Sequence, residues 1–331
     1  MNIGPILLGD KPIFLAPMED VTDPSFRYMC KKFGADVMYT EFISSEGLIR
    51  DGKKSVQKLN IYEYERPIGI QIYGHIPESM VEAARIVEQA KPDFIDINFG
   101  CPVKKIANRG AGSGMMRNVP LMVEITKQIV DAVQLPVTVK TRLGWDSDSL
   151  NILDVAKRLQ DTGIKALTIH GRTRAQMYKG KADWTLIKEV KTHPDINIPV
   201  IGNGDINSAQ MAEDYFQTYL VDGVMLGRAS VGRPWIFREI KQFLKDGTVP
   251  VVPGVKERVA IAREHFEHSL MHKEMPRSIY EMRRHFSLYF KGFSNFKETR
   301  MRLVTTLEQN EIFDILQTIE NNAEAFEPRI V

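Results

Sequence analysis

Cys101 stands in the run Asn98-Phe99-Gly100-Cys101-Pro102, followed by Lys104-Lys105 and the stretch Arg109-Gly110-Ala111-Gly112-Ser113-Gly114. A loop thiol of this kind can donate a proton, attack an electrophile or hold a metal. The two lysines favour thiolate character or an incoming phosphate, and the glycines let the loop order over a substrate. An inert loop thiol is the competing reading at this point. Cys30 lies beside Met29 in a helical pattern and reads as core. Two cysteines are too few for a disulfide framework, so reduced thiols and a cytoplasmic location are expected.

The elements that must position Cys101 form a repeating pattern. Eight apolar or β-branched runs recur: Ile13–Ala16, Val37–Tyr39, Ile68–Ile72, Phe94–Ile97, Val137–Val139, Ala166–Ile169, Pro199–Ile201 and Gly223–Leu226. Near-continuous apolar strands imply a parallel sheet covered on both faces. Most of the runs are separated by helical patterns, which implies βα units, and eight of them predict an α/β fold, a (β/α)8 TIM barrel. The helices have readable ends: Asp23 before Pro24, Pro77, Asp148 or Ser149, and Ser208 at starts, Gly34 and Gly163 at stops.

In such a barrel, chemistry gathers at the C-terminal strand ends. The residues there are Pro17 and Met18, Thr40 and Glu41, Gln71, Asn98 and Cys101, Lys140 and Arg142, His170 to Arg172, Asn203-Gly204-Asp205, and Gly227-Arg228. Glycines after strands seven and eight read either as tight turns or as a phosphate cradle with Arg228 as its cation. Lys140 at the mouth needs an anion to face, and the electron-rich edge of a reduced flavin is one. Gln71 and Asn98 offer amides suited to a flavin or base edge. His170 is either a phosphate ligand or a satisfied structural residue.

The pattern breaks at Asp246–Gly254, where two prolines and two glycines mark a linker. Helical patterns follow at Lys256–Met271, Ser278–Phe290, Thr299–Leu307 and near Glu311–Ala325. The expected organisation is a barrel over 1–245, a linker over 246–255 and a smaller all-helical domain over 256–331. The net charge is +2, but Lys256 to Arg302 holds 11 Lys and Arg against 6 Asp and Glu. That fits either an anion-binding appendage or a solvated helical face. His265, His268 and His272 share a helix face and read as a solvated or RNA-facing edge, not a metal site. No metal site, membrane span or signal peptide is expected, and the chain is expected to be a monomer.

Taken together, the motifs resemble the bacterial tRNA-dihydrouridine synthases, nearest the B-type branch. The matching runs are Ala16-Pro17-Met18, Thr22-Asp23-Pro24-Ser25-Phe26-Arg27, Gln71-Ile72-Tyr73-Gly74, Asp96 to Pro102, Gly110-Ala111-Gly112-Ser113, Val139 to Trp145, Thr168 to Arg174, Asn203 to Ile206, Gly227-Arg228-Ala229 with Gly232 to Trp235, and Met282 to Phe286. The resemblance implies FMN at the barrel mouth, NADPH or NADH as reductant, and a flipped-out uridine of the tRNA D-loop as substrate. Hydride reaches C6, and Cys101 gives a proton to C5. Pro17 and Met18 would border the flavin, and Gln71 and Lys140 would contact its ring. His170, Asn203, Gly204, Asp205, Gly227 and Arg228 would hold its ribityl chain and phosphate. Asn98 would read the uracil edge, while Arg172, Arg174, Arg283 and Arg284 would meet the RNA. Glu19-Asp20 departs from the small residues expected after Met18 and adds negative charge at the rim. The rival is an FMN barrel acting on a free pyrimidine such as dihydroorotate, which would leave the basic tail without a purpose.

Overall fold

The structure, a computed structural model, describes residues 1–327. The final residues of the expected helical domain, 328–331, lie outside the described residues. Eight parallel strands make the barrel: β1 Ile13–Leu15, β2 Met38–Tyr39, β3 Ile68–Tyr73, β4 Phe94–Asn98, β5 Val137–Arg142, β6 Ala166–His170, β7 Val200–Asn203 and β8 Gly223–Leu226. Their order is β1-β8-β7-β6-β5-β4-β3-β2. The seam between β1 and β2 is bridged at Phe14 and Val37, where Leu15 N donates to Val37 O at 3.0 Å. The (β/α)8 architecture is thus the one the eight runs predict.

The interior is filled by large side chains from several strands. Phe14, Tyr39, Phe94, Ile201 and Met225 are all buried there. Such layers make a TIM barrel a packed core rather than a pore. A short antiparallel hairpin, Asn2–Ile3 with Ile6–Leu7, adds Ile3 to this cluster from the side where β5 and β6 begin. The sequence reading missed it, because two-residue strands carry no period.

Seven helices of eight residues or more cover the barrel among the described residues: α1 Pro24–Lys32, α2 Pro77–Gln89, α3 Val119–Ala132, α4 Ile152–Gln160, α5 Thr185–Thr192, α6 Ala209–Tyr219 and α7 Ile236–Asp246. Asp23 caps α1 by accepting from Phe26 N at 2.9 Å, and Ser208 caps α6 through Met211 N at 3.2 Å. α4 departs from expectation. It starts after Asn151 with no side-chain cap. The Ser149 hydroxyl is instead spent on Asp146 at 2.6 Å, and a Gly144–Leu150 bridge keeps the approach extended.

After the irregular segment Gly247–Gly254 come α8 Val255–His272, α9 Arg277–Tyr289, α10 Lys297–Thr305 and α11 Gln309–Asn321. α8 and α9 pack on α1, and this overturns the solvated reading of the histidines. His265 is fully buried; its ring lies 5.7 Å from Phe26, and its Nδ1 pairs with the Tyr289 hydroxyl at 2.9 Å. Burial, then the neighbouring His285, holds its pKa well below the usual histidine range. His268 stacks on Tyr28 at 3.6 Å, and His272 reaches the Tyr62 hydroxyl. The missed signal was Phe26 and Tyr28 of α1 and the nearby Tyr62, aromatic rings on which these histidines pack.

Gly69 is required by the interior packing, since a Cβ there would lie 2.2 Å from the Phe94 ring. Gly69→Ala should therefore cost about 1–3 kcal/mol through overpacking. Urea unfolding measures this, and a midpoint unchanged from wild type would contradict the packing account.

Candidate active site

A cavity of about 680 Å³ opens at the C-terminal ends of the strands. Eleven of the residues singled out from sequence line it: Pro17, Met18, Asn98, Cys101, Lys140, His170, Asn203, Gly204, Asp205, Gly227 and Arg228. Its volume suits a ligand the size of a nucleotide cofactor. Two faces of different chemistry meet across it.

One face is cationic. His170, at the end of β6, has Arg142, Lys140, Arg172 and Arg228 as its charged neighbours. Burial first, and these cations second, hold its pKa well below the usual histidine range, so the ring is neutral. Lys140 is pulled down to about 8, by burial and then by Arg142, and its Nζ donates to Asn203 Oδ1 at 3.1 Å. Asp205 is the carboxylate that answers these charges. It takes Arg172 Nη2 at 2.7 Å and Arg228 Nη2 at 3.3 Å. Burial would raise its pKa, but the bond from Arg172 leads the opposing effects and leaves it lowered. The cluster retains excess positive charge, which is what an anionic group would neutralise. Gly204 has φ +134°, and a Cβ there would come 2.7 Å from the Ala182 Cβ, so the backbone bordering the cluster has no room for a side chain. The cation excess and the close backbone fit a phosphate-bearing cofactor.

The other face carries the thiol. Cys101 is 7% exposed, and burial pushes its pKa above the ordinary thiol value against the opposing pull of the Val103 amide and Arg142. Lys104 and Lys105 are exposed and are not among the groups that shift it, so the thiolate they favour in sequence does not form. Asn98 Oδ1 accepts from the amides of Gly100 and Cys101, both at 2.9 Å, and so shapes the loop. Glu19 pairs with Lys58 at 2.5 Å, but its carboxylate lies together with those of Asp20 and Glu41, so the rim keeps the negative charge expected there.

Five expected site residues do not line the cavity. Gln71 is fully buried beneath it, bonded to Asp96 and Asn98. Arg172 is 2% exposed and spends its guanidinium on Asp205 and the carbonyls of Lys179 and Gly180, so it braces a loop and presents little to solvent. Arg174 lies over the Trp145 ring at 4.5 Å. Arg283 donates to the carbonyls of Thr305 and Thr306 at the end of α10. Arg284 is exposed but reaches Asp20 O at 3.1 Å, tying the tail to the barrel.

Sequence reasoning undervalued Arg142 and missed Asp96 and Tyr178. Arg142 is buried and donates to the carbonyls of Gly100, Thr173 and Met177. Its position at the end of β5, beside the thiol strand, was the available signal. Tyr178 lines the cavity with the Arg228 guanidinium 4.8 Å from its ring, and nothing in its loop sequence marked it. Asp96, an acid inside the otherwise apolar start of β4, is fully buried, and desolvation pushes its pKa up to about 6.

Because the folded pKa of Asp96 exceeds the ordinary value of 3.8, the folded state holds its proton longer than the unfolded state does. Stability from this group is therefore full below about pH 4 and is lost as pH rises through 6. Relative to Asp96→Asn, wild type should lose about 3 kcal/mol between pH 4 and 7. Urea titrations of both proteins at several pH values measure this, and parallel stability curves would refute the assignment.

Comparison with known proteins places this geometry in a family. Residues 14–325 match the model described as dihydrouridine synthase. The chain is 38% identical over 301 residues to a probable tRNA-dihydrouridine synthase of Rickettsia bellii, covering 91% of each chain. It is 39% identical to tRNA-dihydrouridine synthase B of Pseudomonas aeruginosa, covering 91% of this chain and 90% of that one. For the B-type protein of Xanthomonas axonopodis pv. citri the identity is 40%, over 88% and 87%. Among solved structures, morphinone reductase in complex with tetrahydroNAD aligns with TM-score 0.54 at 12% identity, over 76% of this chain and 90% of that one. Histamine dehydrogenase from Rhizobium aligns with TM-score 0.58 at 11% identity, over 81% and 50%. The structural likenesses establish the shared barrel, and the sequence matches establish more: the chain belongs to the dihydrouridine synthase family of oxidoreductases, on its B-type branch.

Proposed function

We propose that the protein reduces the C5=C6 bond of a D-loop uridine in tRNA, with FMN in the barrel mouth and NADPH or NADH as reductant. The observation that carries this is a buried Cys101 thiol, its pKa raised by burial, sharing one cavity with a cation-rich face. Arg228, His170 and the close backbone at Gly204 would hold the phosphate, with Asn203 and Asp205 toward the ribityl chain. Lys140 would meet the electron-rich edge of the ring, bordered by Pro17 and Met18. Bound there, FMN would supply the hydride for C6 of the uracil. Cys101 Sγ then releases its proton to C5, and the S–H bond is exchanged for C–H. The resulting thiolate is stabilised by Arg142, then Lys140, the two cations that already oppose its raised pKa. Asn98 has one Nδ2 hydrogen left for the uracil edge.

A second cavity of about 570 Å³ supports a substrate larger than a free pyrimidine. It lies between the barrel and the tail, shares Glu19 and Phe42 with the first, and has Lys53, Lys54, Lys58 and Arg277 in a lining that also holds Asp20, Asp23, Glu41 and Glu274. A cleft with this rim suits an RNA backbone leading to a base extruded into the mouth. The helices of the tail would complete the RNA contact, within a monomer acting in the cytoplasm. Among the described residues no helix is long and apolar enough to cross a membrane.

Wild-type protein given tRNA from a synthase-null strain should form dihydrouridine detectable by mass spectrometry, and none formed would overturn the reading. Cys101→Ala should keep the yellow flavin spectrum while turnover falls roughly 10²–10⁴-fold, the usual worth of a positioned acid. Full activity in that variant would remove Cys101 from the chemistry. Lys53→Ala with Lys54→Ala should weaken tRNA binding and lower the salt dependence by about two phosphate contacts. Filter binding across salt concentrations reads this, and an unaltered slope would place the RNA elsewhere.

A further inference from the structure

Tyr178 is held at the mouth of the cavity by more structure than an exposed ring ordinarily receives. It is 52% exposed, yet it lines the cavity. The carbonyls on either side of it are bonded to two buried guanidiniums, those of Arg142 and Arg172. Arg142 Nη1 donates to Met177 O at 2.9 Å, Arg172 Nε to Lys179 O at 3.1 Å and Arg172 Nη2 to Gly180 O at 2.5 Å. Met177 itself sits at φ +52°, a left-handed conformation that a side chain disfavours. Strain of this kind persists only where the surrounding bonds impose it, and it gathers at functional sites.

The placement surrounds Tyr178 with groups of the cationic face. Arg228 Cζ lies 4.8 Å from its ring centroid and Arg142 Cζ 5.8 Å. The His170 ring is 6.4 Å away. Of these neighbours, Arg228 is the one that most needs holding. Its side chain is largely exposed, and its bond from Nη2 to Asp205 Oδ1 is 3.3 Å long. Asp205 is already shared with Arg172 at 2.7 Å. An exposed arginine keeps its rotamer freedom until something fixes it, and a ligand that has to fix it binds less tightly for doing so. An aromatic ring beside the guanidinium restrains it beforehand and leaves N–H donors for an anion.

We propose that Tyr178 is a positioning residue for Arg228: its ring and Asp205 together hold the guanidinium ready for the phosphate of the flavin cofactor, so that Tyr178 sharpens the preference for a phosphorylated flavin. This rests on the FMN reading given above. The contacts of Tyr178 are made by its ring, so the hydroxyl is dispensable. The loop is held by backbone carbonyls, so truncating the side chain leaves the loop in place.

The test is a titration of flavin-stripped protein with FMN and with riboflavin, which lacks the phosphate, followed by quenching of flavin fluorescence. Tyr178→Ala should weaken FMN binding about 2–5-fold, the scale of an exposed cation–π contact, and leave riboflavin binding unchanged. Tyr178→Phe keeps the ring and should match wild type for both ligands. Arg228→Ala should weaken FMN on its own, and adding Tyr178→Ala to it should cost nothing further, because the tyrosine acts through the arginine. Equal weakening of FMN and riboflavin would make Tyr178 a contact of the ring system or a support for the loop, and would overturn the proposal. Losses that add in the double variant, or an FMN affinity untouched in Tyr178→Ala, would overturn it as well. Where riboflavin binds too weakly to titrate, the double variant with FMN decides. Wild type that takes up no FMN would sink the cofactor reading and this proposal with it, whereas wild type that binds FMN but shows no coupling between the two residues would sink the role of Tyr178 alone.

Discussion

The site depends on the buried guanidinium of Arg142. It donates to Gly100 O at 2.7 Å on one side, and to Thr173 O at 3.0 Å and Met177 O at 2.9 Å on the other. One side chain thus joins the loop bearing Cys101 to the loop that carries Tyr178. A charge taken out of water is tolerated only where its donors are satisfied. Arg142 therefore requires both loops to present carbonyls inward, and the two walls of the cavity are set against each other by that requirement. Burial first draws its own pKa down to about 10, which still leaves it charged at neutral pH.

That fixed charge also sets the electrostatics of the mouth. It repels Lys140 and His170, lowering both, and it opposes the burial that raises Cys101. The outcome is a neutral imidazole, a thiol that keeps its proton, and a lysine poised between its two states. Arg172 and Arg228 converge on Asp205, a residue held at φ +59° directly after Gly204. The cavity is consequently prepared for an anion on one wall and for proton donation on the other. The distinction arises from burial and neighbouring charge, since the same thiol beside Lys104 and Lys105 in solution would lean toward thiolate.

Much of this was legible in sequence because it follows from period and position. Eight apolar runs located the strands, and the residues at and after their ends located eleven cavity residues. What was not legible is where a long side chain goes once it leaves its strand or helix. Arg172, Arg174, Arg283 and Arg284 were all read as RNA contacts from charge and location. Each spends at least part of its guanidinium within the chain: on Asp205, on the Trp145 ring, on the end of α10, and on Asp20 O. Gln71, expected at the mouth, has its side chain buried against Asp96 and Asn98. Strand-end position specifies a height along the barrel, but whether an amide faces the cavity or its neighbours depends on partners such as Asp96, distant in sequence. The histidines of α8 looked solvated because the aromatic residues that receive them, Phe26, Tyr28 and Tyr62, lie more than two hundred residues earlier.

The joint between barrel and tail follows the same logic. Asp23 caps α1 and also pairs with Lys273, which in turn pairs with Glu281. Burial would raise the Asp23 carboxyl, but Lys273 leads the effects that hold it well below the usual range. Burying ions in this way is a weak source of stability compared with apolar packing. What it imposes is geometry. Lys273 can sit only where a helix cap of the barrel and a carboxylate of α9 converge, so α8 and α9 meet α1 in one register. Tyr28 adds to that register by stacking on His268 and donating to Glu264. The cleft lined by Lys53, Lys54 and Arg277 is bounded by these same two bodies, with Asp23 and Lys273 in its wall. Its shape is therefore set by an ion pair in the joint, just as the shape of the mouth is set by a guanidinium between two loops.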